Sequence, residues 1–439
     1  MKKTFKLGGI HPAEHKTAST EIHFQPLPML ACVPLSQHIG APAVPVVAKG
    51  DKVARGMIIA KAGGNVSAPL HAPISGIIQA IDNVVMPDGR PAKAIIIKAD
   101  EGEHAKDEAD RRDYWENINK IDLDSDSIEA LTPDELRAKV AEAGLVGLGG
   151  ATFPSHIKLI TKASKPKILL INGCECEPYL TCDDALMRAW PRQAVQGAIF
   201  LAKAAGIEKV IIAIEDNKPD AIAAITAASE PFANVAVQVV KTKYPQGGEK
   251  QLIQAVTGRR VPSGGLPAVV GVIVNNIATA FAAWQAIAAG MPLIERLVTV
   301  TGDIPSDQQR NYMTALGTPF ADFTFTLPEN PTAIIGGPMM GRTAVRLDAP
   351  VTKGSSGLLL LAGRKTEEVL PCIRCARCVD VCPMGLEPYL LSTLGRLHMW
   401  DEARRADVAD CIECGSCSYI CPAKRPLLEF IRIAKQRSR

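Results

Sequence analysis

The stretch CIRCARCVDVCP (372–383) is matched in spacing by CIECGSCSYICP (411–422). Each run reads Cys-x2-Cys-x2-Cys-x3-Cys-Pro, and together they take eight of the twelve cysteines of a 439-residue chain. A long chain with its thiols gathered in one region is not a disulfide-stapled secreted domain. A tetrahedral zinc site needs four cysteines but no repeated fourth cysteine followed by proline. The spacing predicts two [4Fe–4S] clusters in a C-terminal module, 365–439. Between the runs, Gly385 to Asp407 is long and helix-prone, which predicts an α-helical module rather than one built on tight β-turns. Arg374 and Arg377 lie in the first run, and Asp410 and Glu413 flank the start of the second. Because positive charge favours the reduced cluster, the first run's cluster is expected to have the higher potential.

The paired runs resemble two-cluster ferredoxins, in which three thiolates wrap one cubane and the fourth ligates its partner. That resemblance implies one cluster on Cys372, Cys375, Cys378 and Cys421, and another on Cys411, Cys414, Cys417 and Cys382. Such a pair is a wire for single electrons, so the sequence upstream is expected to supply a source.

Composition narrows what that source can be. With 49 Lys+Arg against 46 Asp+Glu, a net charge of +3 and 5% aromatic residues, the chain lacks the charge and stacking surface of a nucleic-acid binder. A hydrophobic fraction of 47% excludes intrinsic disorder. MKKTFKL (1–7) has no apolar core of signal-peptide length. The uncharged stretch 261–294 carries Pro262, Pro267, Asn275, Asn276, Thr279 and Gln285, which fit a buried strand, polar turn and helix better than a membrane span. The expected protein is cytoplasmic, with membrane contact only peripheral.

Leu30 to Ala99 is all-β in character, with short apolar runs between Gly, Pro and Asp turns. It resembles the biotinyl/lipoyl barrel-sandwich hybrid through Gly50-Asp51-Lys52-Val53 and Ala72-Pro73-Ile74-Ser75-Gly76. The carrier lysine of that fold would fall on Asn65, so the module (1–99) is read as docking or packing rather than swinging. Residues 100–131 form a charged linker with few apolar anchors. From Thr132 to Ile294 the pattern alternates α/β, with a helix at Pro133–Ala143 and strands near 167–171, 210–214, 235–240 and 269–274. A helical stretch around Asp184 to Ala205 lies between them. This alternation predicts a parallel sheet covered on both faces, with ligands beyond the strands' carboxyl ends. Residues 295–350 turn β-rich again, with strands expected at Val298–Thr301 and Phe323–Thr326. They resemble a β-grasp domain of the soluble ligand-binding (SLBB) type, marked by GGPMMG (336–341).

GLVGLGGATFP (144–154) lacks both the Walker A pattern and the strict dinucleotide fingerprint, yet it can offer successive backbone N–H groups to a phosphate. NGCECEP (172–178), Gly247-Gly248-Glu249 and Asn275-Asn276 each follow a strand. Together these resemble the flavin- and NADH-binding subunit of respiratory complex I, matching Gly149 to Pro154 with Lys158, then Asn172, Glu175, Glu177 and Pro178, Gly248-Glu249, and Asn275, Asn276 and Thr279. The resemblance implies a Rossmann-like domain (132–294) holding non-covalent FMN on Gly147, Gly149, Gly150, Asn172, Asn275, Asn276 and Thr279. Lys158 would lie near the ring's electron-rich edge. Glu175, Glu177 and Glu249 would line the face approached by NADH, as the catalytic set. Three positions depart from that pattern: an arginine of the glycine loop is Leu148, an aspartate of the acidic loop is Cys174, and a second glutamate is Lys250. Cys174, Cys176 and Cys182 read as buried spectator thiols, against redox or metal roles, and Cys32 has no assigned part.

The order sandwich, flavin domain, β-grasp and two-cluster module is similar to that of the RnfC/RsxC family, which belongs to the Rnf/Rsx ion-translocating electron transport complex. Many relatives continue into an Ala/Lys-rich tail, so a chain stopping at Arg439 is expected to be either a short form or one from which such a tail has been removed. The resemblance implies a peripheral subunit on the cytoplasmic face of the inner membrane, partnered by membrane-embedded and other iron–sulfur subunits and by ferredoxin. It would move electrons between NADH and ferredoxin while ions cross elsewhere. The alternatives are a cobalamin reductase-type flavo-iron–sulfur protein and a non-catalytic relay scaffold. The helical stretch 427–435 is read as packing on the cluster module, against a partner or membrane contact.

Overall fold

The computed structural model describes residues 2–121, 130–160, 166–363 and 368–438. Expectations that fell on 122–129, on 365–367 and on Met1 and Arg439 lie outside the described residues.

The α/β domain is built on four parallel strands in the order Val235–Val240, Lys209–Glu215, Ile168–Gly173, Val272–Asn276. Side chains alternate between its two faces. Leu169 and Ile171 enter one apolar cluster with the helices Pro191–Ala204 and Ile277–Ala288, whereas Leu170 enters another with Glu249–Thr257. The helix Ile277–Ala288 is apolar on all sides because it is buried on all sides. Its backbone approaches Gly197 so closely that an added Cβ there would lie 1.8 Å from Ala280 O. Strand order reverses between Ile168–Gly173 and Val272–Asn276, which opens a crevice at their carboxyl ends.

Three local expectations are corrected. Val269 and Val270 lie in a 3-10 turn, Pro267–Val270, which ends on left-handed Gly271, so the strand begins at Val272. The helical stretch around 184–205 is two helices, Cys182–Ala189 and Pro191–Ala204, broken where Pro191 follows Trp190. Phe323–Thr326 is not a strand. Its alternation arises because Phe323 packs edge-on against Tyr312, with ring centroids 5.2 Å apart, while Gln308 bonds the backbone and hydroxyl of Thr326.

The charged linker is also more ordered than its composition predicts. Glu101–Asn117 is a helix capped by Asp100, and its anchors are paired charges. Arg111 donates to the Gln25 and Met313 carbonyls at 2.8 and 2.9 Å and to the Glu295 carboxylate. Trp115 Nε1 donates to Glu295 Oε2 at 3.0 Å. Burial pushes the Glu295 carboxyl up, but Arg111 and Arg55 outweigh it and hold the group below its usual range. Asp107 accepts from Ser75 of the N-terminal sheets at 2.6 and 2.9 Å. The helix thereby ties the N-terminal sandwich to the later β-sheet.

The sandwich pairs a sheet of Leu30–Pro34, Pro91–Ala99, Gly76–Val85 and Lys52–Val53 with one of Val44–Pro45, Ile58–Lys61 and Leu70–His71. The turn carrying Asn65 is pinned, since a Cβ on Gly63 would lie 2.0 Å from Pro42 O. The later sheet has six strands: Ile22–Phe24, Arg310–Ala315, Glu295–Gly302, Gly357–Leu361, Thr332–Ile335 and Arg342–Thr343. It borrows one strand from the N-terminus and takes another from beyond residue 350.

The cysteine region is helical, with Pro388–Arg396 and Trp400–Arg405 between the two runs. The final helix Leu427–Arg437 buries Leu427, Leu428, Ile431 and Ala434 against it. Among the described residues no helix is long and apolar enough to cross a membrane.

Candidate flavin and iron–sulfur site

The glycine loop sits over the crevice at the strand-order reversal. Leu148 N donates to Thr279 Oγ1 at 2.9 Å, and Gly147 N to Phe153 O at 2.9 Å. The next three N–H groups, of Gly149, Gly150 and Ala151, find no acceptor among the described residues. Gly150 adopts a φ of +108° and an added Cβ there would meet nothing within 4 Å, whereas one on Gly149 would crowd Asn276 at 3.2 Å. Three successive N–H groups without an acceptor, with open space over Gly150, make an anion cradle.

Beside it, Asn275 is 3% exposed and neither its Oδ1 nor its Nδ2 has a partner. A buried amide left unpaired costs about 1–3 kcal/mol, so the position calls for a ligand with both a donor and an acceptor. An isoalloxazine edge offers both, and the residues present fit a flavin mononucleotide. Asn276 caps the helix Ile277–Ala288 through Ala278 N at 2.8 Å and donates to Asp183 Oδ2 at 2.6 Å.

The acidic side chains divide into two kinds. Glu249 opens the helix Glu249–Thr257, is exposed, and meets Lys158 Nζ at 3.4 Å; Lys158 also donates to Val274 O at 3.3 Å. Glu175 and Glu177 are engaged by backbone. Glu175 accepts from Asp183 N and Asp184 N at 2.6 and 3.3 Å, supplying the cap that Thr181 does not give to the helix Cys182–Ala189. Glu177 accepts from Met339 N at 3.1 Å and Met340 N at 2.7 Å, which binds the GGPMMG turn to the acidic loop. Burial pushes both carboxyls up to about 7. Asn172 spans the loops rather than facing the cradle, donating to Gly247 O and accepting from Cys174 N. Burial raises the thiols of Cys174, Cys176 and Cys182, which disfavours their thiolates.

Four residues here carry no sequence signal. Lys16 folds the acidic loop by donating to the carbonyls of Glu175, Glu177 and Leu180. Buried Lys353 donates to Pro69 O and Gly144 O at 2.9 and 2.7 Å, joining the sandwich to the glycine loop. Arg296 reaches Leu148 O, and Asp183 lies behind Asn276. No local spacing marks such residues, because their partners are distant in the chain.

In the cysteine module, Cys382, Cys411, Cys414 and Cys417 line one cavity, whose wall is otherwise apolar but for Ser416. Burial pushes the Cys411 and Cys417 thiols up to about 11 and about 12. Three buried sulfurs and a half-buried one gathered on one apolar cavity, with Lys435 beside Cys411, suit a metal cluster. This cavity abuts the α/β domain. Tyr244 Oη donates to Cys414 O at 2.7 Å, Gln251 Nε2 to Pro383 O at 3.3 Å, and Met339 O lies against Gly415. Ile10, Tyr244 and Cys414 form an apolar cluster with Cys176 and Met339 packed on it. Cys372 and Cys375 are exposed, and Cys378 and Cys421 half-buried. The acids near the second run are countered: Glu413 pairs with Arg432 and Lys435 at 3.1 and 3.2 Å, and Asp410 with Lys250 at 3.8 Å. The expected contrast in potential therefore rests on Arg374 and Arg377 alone.

Comparison with known proteins matches residues 3–102 to the RnfC barrel sandwich hybrid domain, 140–285 to the Nuo51 FMN-binding domain and 365–422 to a 4Fe-4S dicluster domain. The chain is 43% identical to a component of the proton-translocating ferredoxin:NAD(+) oxidoreductase complex of Clostridium ljungdahlii, over 100% of this chain and 95% of that one. It is 41% identical to the corresponding component of the Na(+)-translocating ferredoxin:NAD(+) oxidoreductase complex of Acetobacterium woodii, over 99% and 96%. It is 43% identical to that of an ion-translocating oxidoreductase complex of Rhodobacter capsulatus, over 90% and 75%. Among solved structures, an NAD+-reducing [NiFe]-hydrogenase in the H2-reduced state aligns with a TM-score of 0.50 at 20% identity, covering 70% of this chain and 63% of that one, a likeness of fold alone.

Proposed function

The chain belongs to the RnfC family of the ion-translocating ferredoxin:NAD+ oxidoreductase complexes, and from that premise we propose that it is the subunit where the two-electron chemistry of NADH meets the one-electron chemistry of iron–sulfur clusters. It carries an FMN-binding domain and a dicluster domain with eight cysteines. The observation that carries the reading is the contact between them: Tyr244 bonds the Cys414 carbonyl, Met339 lies against Gly415, and both pack with Cys176 of the acidic loop. Bound flavin supplies a site that takes hydride as an electron pair and passes electrons on singly.

Each residue then has a task. The N–H groups of Gly149, Gly150 and Ala151 bind the flavin phosphate, with Gly147 shaping the turn. Asn275 binds the ring system, while Thr279 and Asn276 hold the loop and helix that present it. Lys158 places a cation at the ring's edge, and Glu249, the exposed carboxylate of the acidic set, meets the nicotinamide nucleotide. Glu175 and Glu177 act as positioning residues. Cys372, Cys375, Cys378 and Cys421 hold the outer cluster, which is the point of exchange with other subunits of the complex or with ferredoxin. The six-stranded sheet is read as the β-grasp, SLBB-like module, and the chain as docked peripherally on membrane subunits at the cytoplasmic face.

The test is an anaerobic titration of the chain reconstituted with FMN, iron and sulfide. NADH should bleach the flavin absorbance and then produce the signal of reduced clusters. Glu249→Ala should slow NADH oxidation with an artificial acceptor. A chain that binds no flavin after reconstitution, or whose clusters stay oxidised once the flavin is reduced, would overturn the reading.

A further inference from the structure

Leu148 occupies the glycine-loop position where the complex I pattern has an arginine, so that position of the loop gives the cradle of Gly149 to Ala151 no cation. The structure places one directly behind it. Arg296, on the strand Glu295–Gly302 of the later sheet, is 3% exposed and points its guanidinium into the back of the loop. It donates through Nη2 to Leu148 O at 2.5 Å and through Nε to Ser355 O at 3.0 Å. The carboxylate that it feels is that of Asp183, with no direct ion pair between them among the described residues. Asp183 is in turn occupied by Asn276 Nδ2.

The geometry has two consequences. In a trans peptide the C=O and the following N–H point in opposite directions. Holding Leu148 O inward on Arg296 therefore aims Gly149 N–H outward, into the cradle. Leu148 N–H is fixed from the other side by Thr279 Oγ1, so both peptide groups of this residue are locked. The second consequence is electrostatic. A guanidinium one peptide behind the cradle, buried and so weakly screened, adds a full charge to three N–H dipoles.

Resting on the FMN reading above, we propose that Arg296 is the positioning residue that makes the cradle selective for a phosphorylated flavin, standing in from another module for the arginine absent at position 148. The later sheet thus completes a site whose cradle comes from the α/β domain.

The test compares FMN with riboflavin, which shares the ring but lacks the phosphate. Flavin-depleted chain is titrated with each by fluorescence quenching, for the wild type, Arg296→Gln and Arg296→Lys. Arg296→Gln leaves a polar side chain at the position but removes the charge. Its FMN affinity should fall about ten- to a hundredfold, the scale of one lost charge-assisted contact, while riboflavin affinity stays within about twofold. Arg296→Lys should recover most of the preference for FMN. Equal losses for both flavins, or equal behaviour of the Gln and Lys variants, would overturn the proposal. A wild-type chain that binds neither flavin would instead refute the FMN reading beneath it. If the Gln variant does not fold, the Lys variant and the wild type still decide. A Lys variant that loses the FMN preference shows that charge at this place is not what selects phosphate.

Discussion

Glu177 offers a prediction whose sign is not obvious. Its carboxylate holds the backbone of Met339 and Met340, so neutralising it by Glu177→Gln would be expected to loosen the GGPMMG turn. Neutralising it by protonation has the opposite effect. Burial raises this carboxyl from 4.5 to about 7, and the two N–H bonds only partly offset that. The closed turn therefore favours the protonated acid. When the turn opens, the group returns to water and to its ordinary value. For an acid raised in the closed state, the stability of closure is complete below 4.5 and is lost as pH rises through 7. The shift corresponds to at most about 3 kcal/mol, reduced by the group's partial exposure, so protection of the turn should fall ten- to a hundredfold between pH 5 and pH 8. Glutamine cannot ionise, but its single amide oxygen can accept from only one of Met339 N and Met340 N, because its Nε2 only donates. Glu177→Gln should therefore remove the pH dependence, with a turn equally protected at pH 5 and pH 8 and less protected than the wild type's at pH 5. Hydrogen exchange of the peptide 336–341, corrected for intrinsic rates, measures this directly. A wild-type turn whose protection does not change with pH, or a Gln variant that keeps the slope, would refute the reasoning.

Three more outcomes follow from buried groups. Asn275→Ala removes two unpaired polar atoms, so it should stabilise the flavin-free chain by about 1 kcal/mol in thermal unfolding while weakening FMN binding about tenfold in the same fluorescence titration. Cys382→Ala removes one wall sulfur of the inner cavity, and iron analysis of the reconstituted chain should fall from about eight atoms to about four, with the cluster of Cys372, Cys375, Cys378 and Cys421 retained. Burial lowers Lys353 from 10.5 to about 7, so between those values the unfolded chain binds a proton that the folded chain does not, and stability rises with pH. Lys353→Met should abolish that rise, seen as the difference in melting temperature between pH 7.5 and 9.5.

What could be read from the sequence was whatever chemistry sits within a few residues of itself. The eight cluster cysteines, the glycine loop and the Asn275-Asn276 pair after a buried strand are local patterns, and each lies in the module that its pattern predicts. The misreadings occur where a long-range partner replaces a local signal. The helix Glu101–Asn117 has little apolar periodicity because Arg111 and Trp115 are held by Glu295, about 180 residues away. Phe323–Thr326 alternates like a strand because Phe323 is buried and Phe325 half-buried on the same apolar cluster, without any ladder behind them. Arg296, Lys353 and Lys16 satisfy carbonyls from distant loops, and a lone basic residue in sequence carries no sign of that.

Those three basic side chains share a role that bears on how the modules act together. Each comes from outside the parallel sheet and each ends on backbone carbonyls of its functional loops: Lys16 under the acidic loop, Lys353 and Arg296 behind the glycine loop. A carbonyl held inward turns the following N–H outward, so basic side chains placed behind these loops shape which groups face the ligand. Glu177 is the opposite case, a carboxyl from the acidic loop that turns two N–H groups of the later sheet toward itself and sets Met339 against Gly415 of the inner cluster run. On the proposed ligand sets, the flavin cradle and the inner cluster are thus positioned by the same few buried side chains. Loosening one module should therefore disturb both flavin retention and the passage of electrons to Cys414 and its partners, and neither module is expected to keep its full function when separated from the other.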